Sequence, residues 1–103
     1  KRDDAITSLK EAKSSSAEAW AQAGGLFERL AGLDSTDYEA NYFWGMSLFW
    51  LEKYDAALAP LQRAVELKSD YCEAWQIRYF AASRANQPDL AKLAKERFDT
   101  CGK

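Results

Sequence analysis

Apolar residues in this chain fall into stretches of helix length, without the sustained apolar/polar alternation or β-branched enrichment of strands. Polar breaks separate these stretches. Ser14-Ser15-Ser16 is one, because hydroxyls compete for backbone groups. Asp34-Ser35-Thr36-Asp37 and Lys68-Ser69-Asp70 are two more. Asn86-Gln87-Pro88 is the fourth, with Pro88 suited to a first helical position, where its missing N–H costs nothing. The pattern predicts helices near 3–13, 16–32, 37–51, 55–68, 71–85 and 88–101, and hence an all-α chain.

Three capping signals support these starts: Ser15-x-x-Glu18, Thr36-x-x-Glu39 and Asp70-x-x-Glu73. The step from Thr36 to Asp70, and from Glu39 to Glu73, is the length of one helical hairpin, so the chain reads as stacked copies of a single unit. Gly24-Gly25 inside the second helix costs about 1 kcal/mol per glycine relative to Ala and reads as a close helix–helix approach. Pro60 falls inside the fourth helix, where it is expected to bend the axis.

The segment Tyr38 to Tyr71 resembles a tetratricopeptide repeat. With Tyr38 as repeat position one, Trp44 and Gly45 form the large-then-small pair at seven and eight. Leu48 takes the large site at eleven and Tyr54 the aromatic at seventeen. Ala57, Leu61 and Ala64 hold the small, large and small sites at twenty, twenty-four and twenty-seven. A shift by one repeat length puts Trp75 at four, Ala91 at twenty and Phe98 at twenty-seven, with Tyr79 in place of the glycine at eight, so a different packing is expected there. The backward shift puts Trp20, Ala23 and Phe27 at seventeen, twenty and twenty-four, while Lys10 and Glu11 break the seven/eight pair. Sel1-type repeats are disfavoured by the spacing. The resemblance implies a single domain over 1–103, with repeats at about 4–37, 38–71 and 72–103. Its fold class is a tetratricopeptide-like α-solenoid of about six antiparallel helices in a right-handed superhelix.

In that family the first helix of each hairpin lines the concave face. The resemblance therefore implies inner positions at Glu39, Tyr42, Phe43, Met46, Phe49 and Trp50, then at Glu73, Gln76, Ile77, Phe80, Ser83 and Arg84. The first repeat contributes only Ala5, Ser8, Leu9, Ala12, Ser15 and Ser16. Independently, Asn41 to Leu51 is apolar almost all round, which calls for cover on more than one side. The hairpin core, through Trp44, Leu48 and Leu51, covers one side, and a partner is expected on the other. The carboxylate clamp of chaperone-type members is not expected, because Ser8, Ala12, Phe43, Glu73 and Ile77 stand where its cations and amide would.

The function that follows is a non-catalytic adaptor or scaffold holding an apolar or amphipathic protein segment in the concave groove. Self-association into a homo-oligomer is the alternative. Histidine is absent, which removes the commonest general base and zinc ligand together, and two cysteines alone make no structural zinc site. No catalytic residue, metal or cofactor is expected. A net charge of −2 with interspersed signs gives no electrostatic case for nucleic acid. No apolar run reaches the ~20 residues needed to span a bilayer.

Cys72 opens the third hairpin and Cys101 closes it, so the two fall opposite one another. Two buried thiols are the expected state and a disulfide the alternative; a bond would imply a periplasmic or extracellular setting. The start at Lys1 reads as a processed or excised segment. The sixth helix either caps the stack or carries a continuation, and continuation is the expectation.

Overall fold

The computed structural model describes residues 2–12 and 17–102, without the side chains of Leu9, Glu11 and Ala12. Six helices account for most of them: α1 (Arg2–Ala12), α2 (Ala17–Leu33), α3 (Tyr38–Trp50), α4 (Tyr54–Leu67), α5 (Cys72–Arg84) and α6 (Pro88–Thr100). Their ends match the sequence expectation within the ordinary spread of helix-end assignment. Each helix packs on its chain neighbours, and α3 also touches α5, which builds a stack of antiparallel pairs. Among the described residues, no helix is long and apolar enough to cross a membrane.

The start signals act differently from their expected form. Asp37, not Thr36, caps α3 by accepting the Ala40 backbone N–H at 3.0 Å. Thr36 is occupied in the turn, where its hydroxyl and backbone N–H both donate to Asp34 Oδ1. Asp70 likewise makes no cap bond to α5, because its carboxylate pairs with Lys68 at 3.0 Å. The Ser15-Glu18 signal lies outside the described residues. Pro88 does open α6, and α4 runs through a buried Pro60 without interruption.

Close packing rests on small residues. A β-carbon on Gly24 would stand 3.0 Å from Ser47 Cβ, so this glycine lets α2 approach α3, whereas Gly25 faces open space. Ala23, Ala40, Ala57, Ala64, Ala74 and Ala81 are fully buried, and Phe27 and Leu61 are the large side chains enclosed among them. The turns after α3 and α5 match each other. Glu52 and Asn86 both take positive φ, and the next N–H reaches back to close the helix end (Lys53 to Leu48, Gln87 to Ala82).

The last helix departs from the earlier second helices. Gly24, Phe27 and Ala31 are buried in α2, and Leu61 and Val65 are buried in α4 beside a half-buried Leu58. The equivalent positions of α6 hold Lys92, Lys95 and Asp99, all exposed, with Lys95 paired to Asp99 at 2.9 Å. This face of α6 is therefore charged where the earlier second helices are apolar, although Leu93 on the same helix is also exposed. Cys72 and Cys101 are bonded to each other rather than free, with Cα atoms 5.7 Å apart, tying the start of α5 to the end of α6.

Candidate functional site

The site forms around Phe49, near the end of α3. Its buried ring is met by Trp50 at 5.3 Å, Tyr54 at 5.5 Å and Phe80 at 6.5 Å between centroids. The Arg84 guanidinium lies over Phe49 at 5.2 Å and over Tyr54 at 5.6 Å. Trp20, from α2, stacks on Trp50 at 5.9 Å with an angle of 21°. Trp50 and Phe80 stay 52% and 39% exposed, so they form an apolar shelf backed by ordered rings. A shallow basin of about 400 Å³ adjoins it, lined by Lys53, Tyr54, Asp55, Arg84 and Asn86 among others.

A second aromatic chain runs towards the starts of the helices. Phe27 meets Phe43 at 5.0 Å, Phe43 meets Tyr42 at 5.1 Å, and Tyr42 meets Tyr71 at 4.8 Å. Tyr71 then meets Tyr38 edge-on. Burial first, and then the Glu73 charge, push the Tyr42 hydroxyl up to about 12. The Tyr71 hydroxyl is raised too, again chiefly by burial. Polar groups within α3 are satisfied locally: Asn41 donates to the Asp37 carbonyl and Ser47 to the Phe43 carbonyl.

These contacts correct the expectation of an uncovered apolar face. Tyr42, Met46 and Phe49 are buried within the chain, and Phe43, Gln76 and Ile77 are half-buried. The reason is reach: Trp20 and Phe27 extend from α2, Tyr71 from the turn before α5, and Phe80 from α5, far enough to cover α3. Glu39 is not free either, since Arg2 bridges Asp37 and Glu39 at 2.6 and 2.7 Å. Arg2 is exposed and Asp37 and Glu39 are partly so, and solvent-screened pairs of this kind stabilise little. Glu73 is exposed with no ion pair among the described residues. Of the predicted positions, Trp50, Glu73, Phe80, Ser83 and Arg84 thus remain presented to solvent. Ala5 and Ser8 are buried; Ser15, Ser16 and the side chains of Leu9 and Ala12 lie outside the described residues.

Two features escaped the sequence. Trp20 backs the shelf although it comes from a second helix, and its place one repeat before Tyr54 marks it only as a hairpin-core aromatic. Arg78, in α5, is 5% exposed, and its Nε and one terminal nitrogen have no hydrogen-bond partner. Burial lowers its pKa, against a raising influence of Glu66. Among the described residues no group of three or more His, Cys, Asp or Glu is placed to hold a metal.

The architecture is that of a tetratricopeptide-like α-solenoid, six helices in antiparallel succession with glycine and alanine at the tight crossings. The solved structure of a MamA D159K mutant is similar over 92% of this chain, with a TM-score of 0.81 at 15% sequence identity. This chain spans about half of that protein, 49% of its length, and at such identity the likeness establishes the fold alone. No protein-family model matches the sequence, and neither does any curated protein.

Proposed function

We propose that this chain is a non-catalytic protein-interaction module of the tetratricopeptide type. It holds an apolar or amphipathic segment of a partner protein on the shelf made by Trp50, Phe80 and Arg84. The observation that supports this is the exposure of two large rings on successive first helices, each backed by other rings that restrict its motion. Pre-set aromatic surface is the usual material of binding hot spots, because little side-chain freedom is lost on contact. Arg84 at the rim favours a carboxylate in the bound segment, and Glu73 at the far edge favours a cation.

Magnitudes set the affinity range. Rings of this kind bury ~150–250 Å² each when fully covered. Covering the exposed half of two of them supplies about 4–6 kcal/mol gross at ~25 cal/mol per Å². Association costs ~4–15 kcal/mol, so the shelf needs its charged rim, and micromolar or weaker binding is expected. The Cys72–Cys101 bond supports work in an oxidising compartment.

Selection of displayed peptides on the native chain, with counter-selection on a Trp50→Ala, Phe80→Ala variant, tests the reading. Enriched peptides should carry bulky apolar residues near an acid, and binding should shift the Trp50 fluorescence. Peptides that bind both proteins equally would remove the shelf from the site.

A further inference from the structure

Two stripes on α3 and α5 correspond residue by residue. On α3 they are Glu39, Phe43, Met46 and Trp50, and one repeat later Glu73, Ile77, Phe80 and Arg84. Steps of four, three and four keep each set on one side of its helix. Both stripes begin with an acid, and the first acid is paired inside the chain: the Arg2 guanidinium bridges Asp37 and Glu39. Thr36 stands at Arg2's place one repeat on, where it carries no charge and its hydroxyl donates to Asp34. Glu73 is exposed with no ion pair among the described residues. The helix that would supply its cation by the same rule is α3, so the difference lies within the chain and not at its ends.

The surroundings of Glu73 suit a cation. Tyr42 meets Tyr71 at 4.8 Å, and Tyr71 meets Tyr38 at 5.4 Å. Tyr42 is 8% exposed, yet its hydroxyl has no hydrogen-bond partner among the described residues. That oxygen still reaches the surface, so a donor from outside can meet it. The Glu73 charge acts on the hydroxyls of both Tyr42 and Tyr71. Lys68, in the turn before α5, is engaged elsewhere: it pairs with Asp70 at 3.0 Å and lies over the Tyr38 ring at 5.6 Å.

We propose that the partner segment carries an arginine whose guanidinium donates to Glu73 and to the Tyr42 hydroxyl, beside the Tyr71 ring. A planar guanidinium stacks on a ring while donating from its edge, which a lysine ammonium does not do. Arg2 makes the equivalent bridge one repeat earlier. Glu73 and Arg84 are eleven residues apart on α5, roughly 16 Å at ~1.5 Å per residue. A segment with its acid on Arg84 then needs its arginine about five residues away if extended, at ~3.3 Å each. Apolar residues between them would cover Phe80 and Ile77. This spacing rests on the shelf proposed above; the arginine seat itself does not.

Nuclear magnetic resonance titration with N-acetyl-arginine amide tests the seat without the shelf. The Tyr42 and Tyr71 ring signals should shift, with half-saturation at roughly 1–10 mM. N-acetyl-citrulline amide, similar in shape but uncharged, should leave them in place. Glu73→Gln, at an exposed position that keeps the native circular dichroism, should weaken arginine binding about three- to tenfold. Tyr42→Phe should weaken it about twofold through the lost acceptor. Glu96→Gln, an exposed acid on α6, should change nothing. Equal shifts with citrulline, no shift with arginine up to ~50 mM, or indifference to either site variant overturns the proposal. Peptides selected on the shelf separate the two readings. Those that need Trp50 and Phe80 should carry the spaced arginine and bind Glu73→Gln several-fold more weakly. If they bind Glu73→Gln as well as the native chain, the seat falls and the shelf stands. Arginine binding with no shelf-dependent peptide keeps the seat and removes the shelf.

Discussion

Gly45 and Leu61 pack so tightly that a β-carbon on the glycine would stand 2.6 Å from Leu61 Cγ and 3.3 Å from the Ala57 carbonyl oxygen. Gly45→Ala must therefore displace the branch point of a buried leucine and press on backbone. The overpacking costs about 1–3 kcal/mol, outweighing a helix-propensity gain of up to about 1 kcal/mol. Gly25→Ala meets nothing within 4 Å and keeps the whole gain. Urea denaturation should show the first variant less stable than the native chain and the second more stable. Shifts of the same sign would contradict the close crossing.

Arg78 is a buried cation with two unsatisfied nitrogens, where α3, one repeat earlier, carries Trp44. Glu66 influences it electrostatically but is committed to Arg63 and Gln62 at the surface of α4. Replacing such a charge by an apolar side chain of similar length removes a desolvation penalty. Arg78→Met should stabilise the chain by about 1–3 kcal/mol. A lower denaturation midpoint for this variant would mean that the guanidinium has good partners.

Stability should fall in alkali. Tyr42 has a folded pKa of about 12 against an ordinary value near 10, so between these limits the unfolded chain holds fewer protons than the folded one. The linkage slope is then negative: the contribution is complete below pH 10 and is lost as pH rises towards 12. Tyr42 alone accounts for roughly 2–3 kcal/mol of this loss, and Tyr71 adds to it in the same direction. Tyrosinate absorbance and helical circular dichroism should change together above pH 10, and Tyr42→Phe should move the transition to higher pH. A smooth tyrosine titration in a fully helical chain would refute the shifts.

The disulfide closes a loop with a sequence separation of 29. Chain-entropy reasoning for such a loop gives about 3–4 kcal/mol, with the native contacts unchanged. Cys72→Ser with Cys101→Ser should lower stability on that scale, with amide exchange rising first along α6. An unchanged midpoint on reduction would show that packing alone holds the third hairpin.

Helix boundaries and the Gly45–Leu61 crossing are readable in the chain because both depend on local periodicity. Caps are harder. Thr36 and Asp37 are both competent, and the local bond from Thr36 to Asp34 decides between them. The cover of the concave face is not legible because it comes from rings distant in sequence: Trp20 and Phe27 look like hairpin-core residues until stacking places them against Trp50 and Phe43. The sequence sets the cysteines opposite one another, but the distance between α5 and α6 that permits the bond belongs to the packing of the whole hairpin. Arg78 gives no signal, since one cation on a helix otherwise reads as solvated.

Because Cys72 and Cys101 join the two ends of α5–α6, the short connection Ala85–Gln87 is spanned by a covalent ring. A protease that cuts this connection leaves no free fragment. The cleaved halves migrate as one species until a reductant is added, so an unchanged band without reductant would say little about whether the connection had been cut.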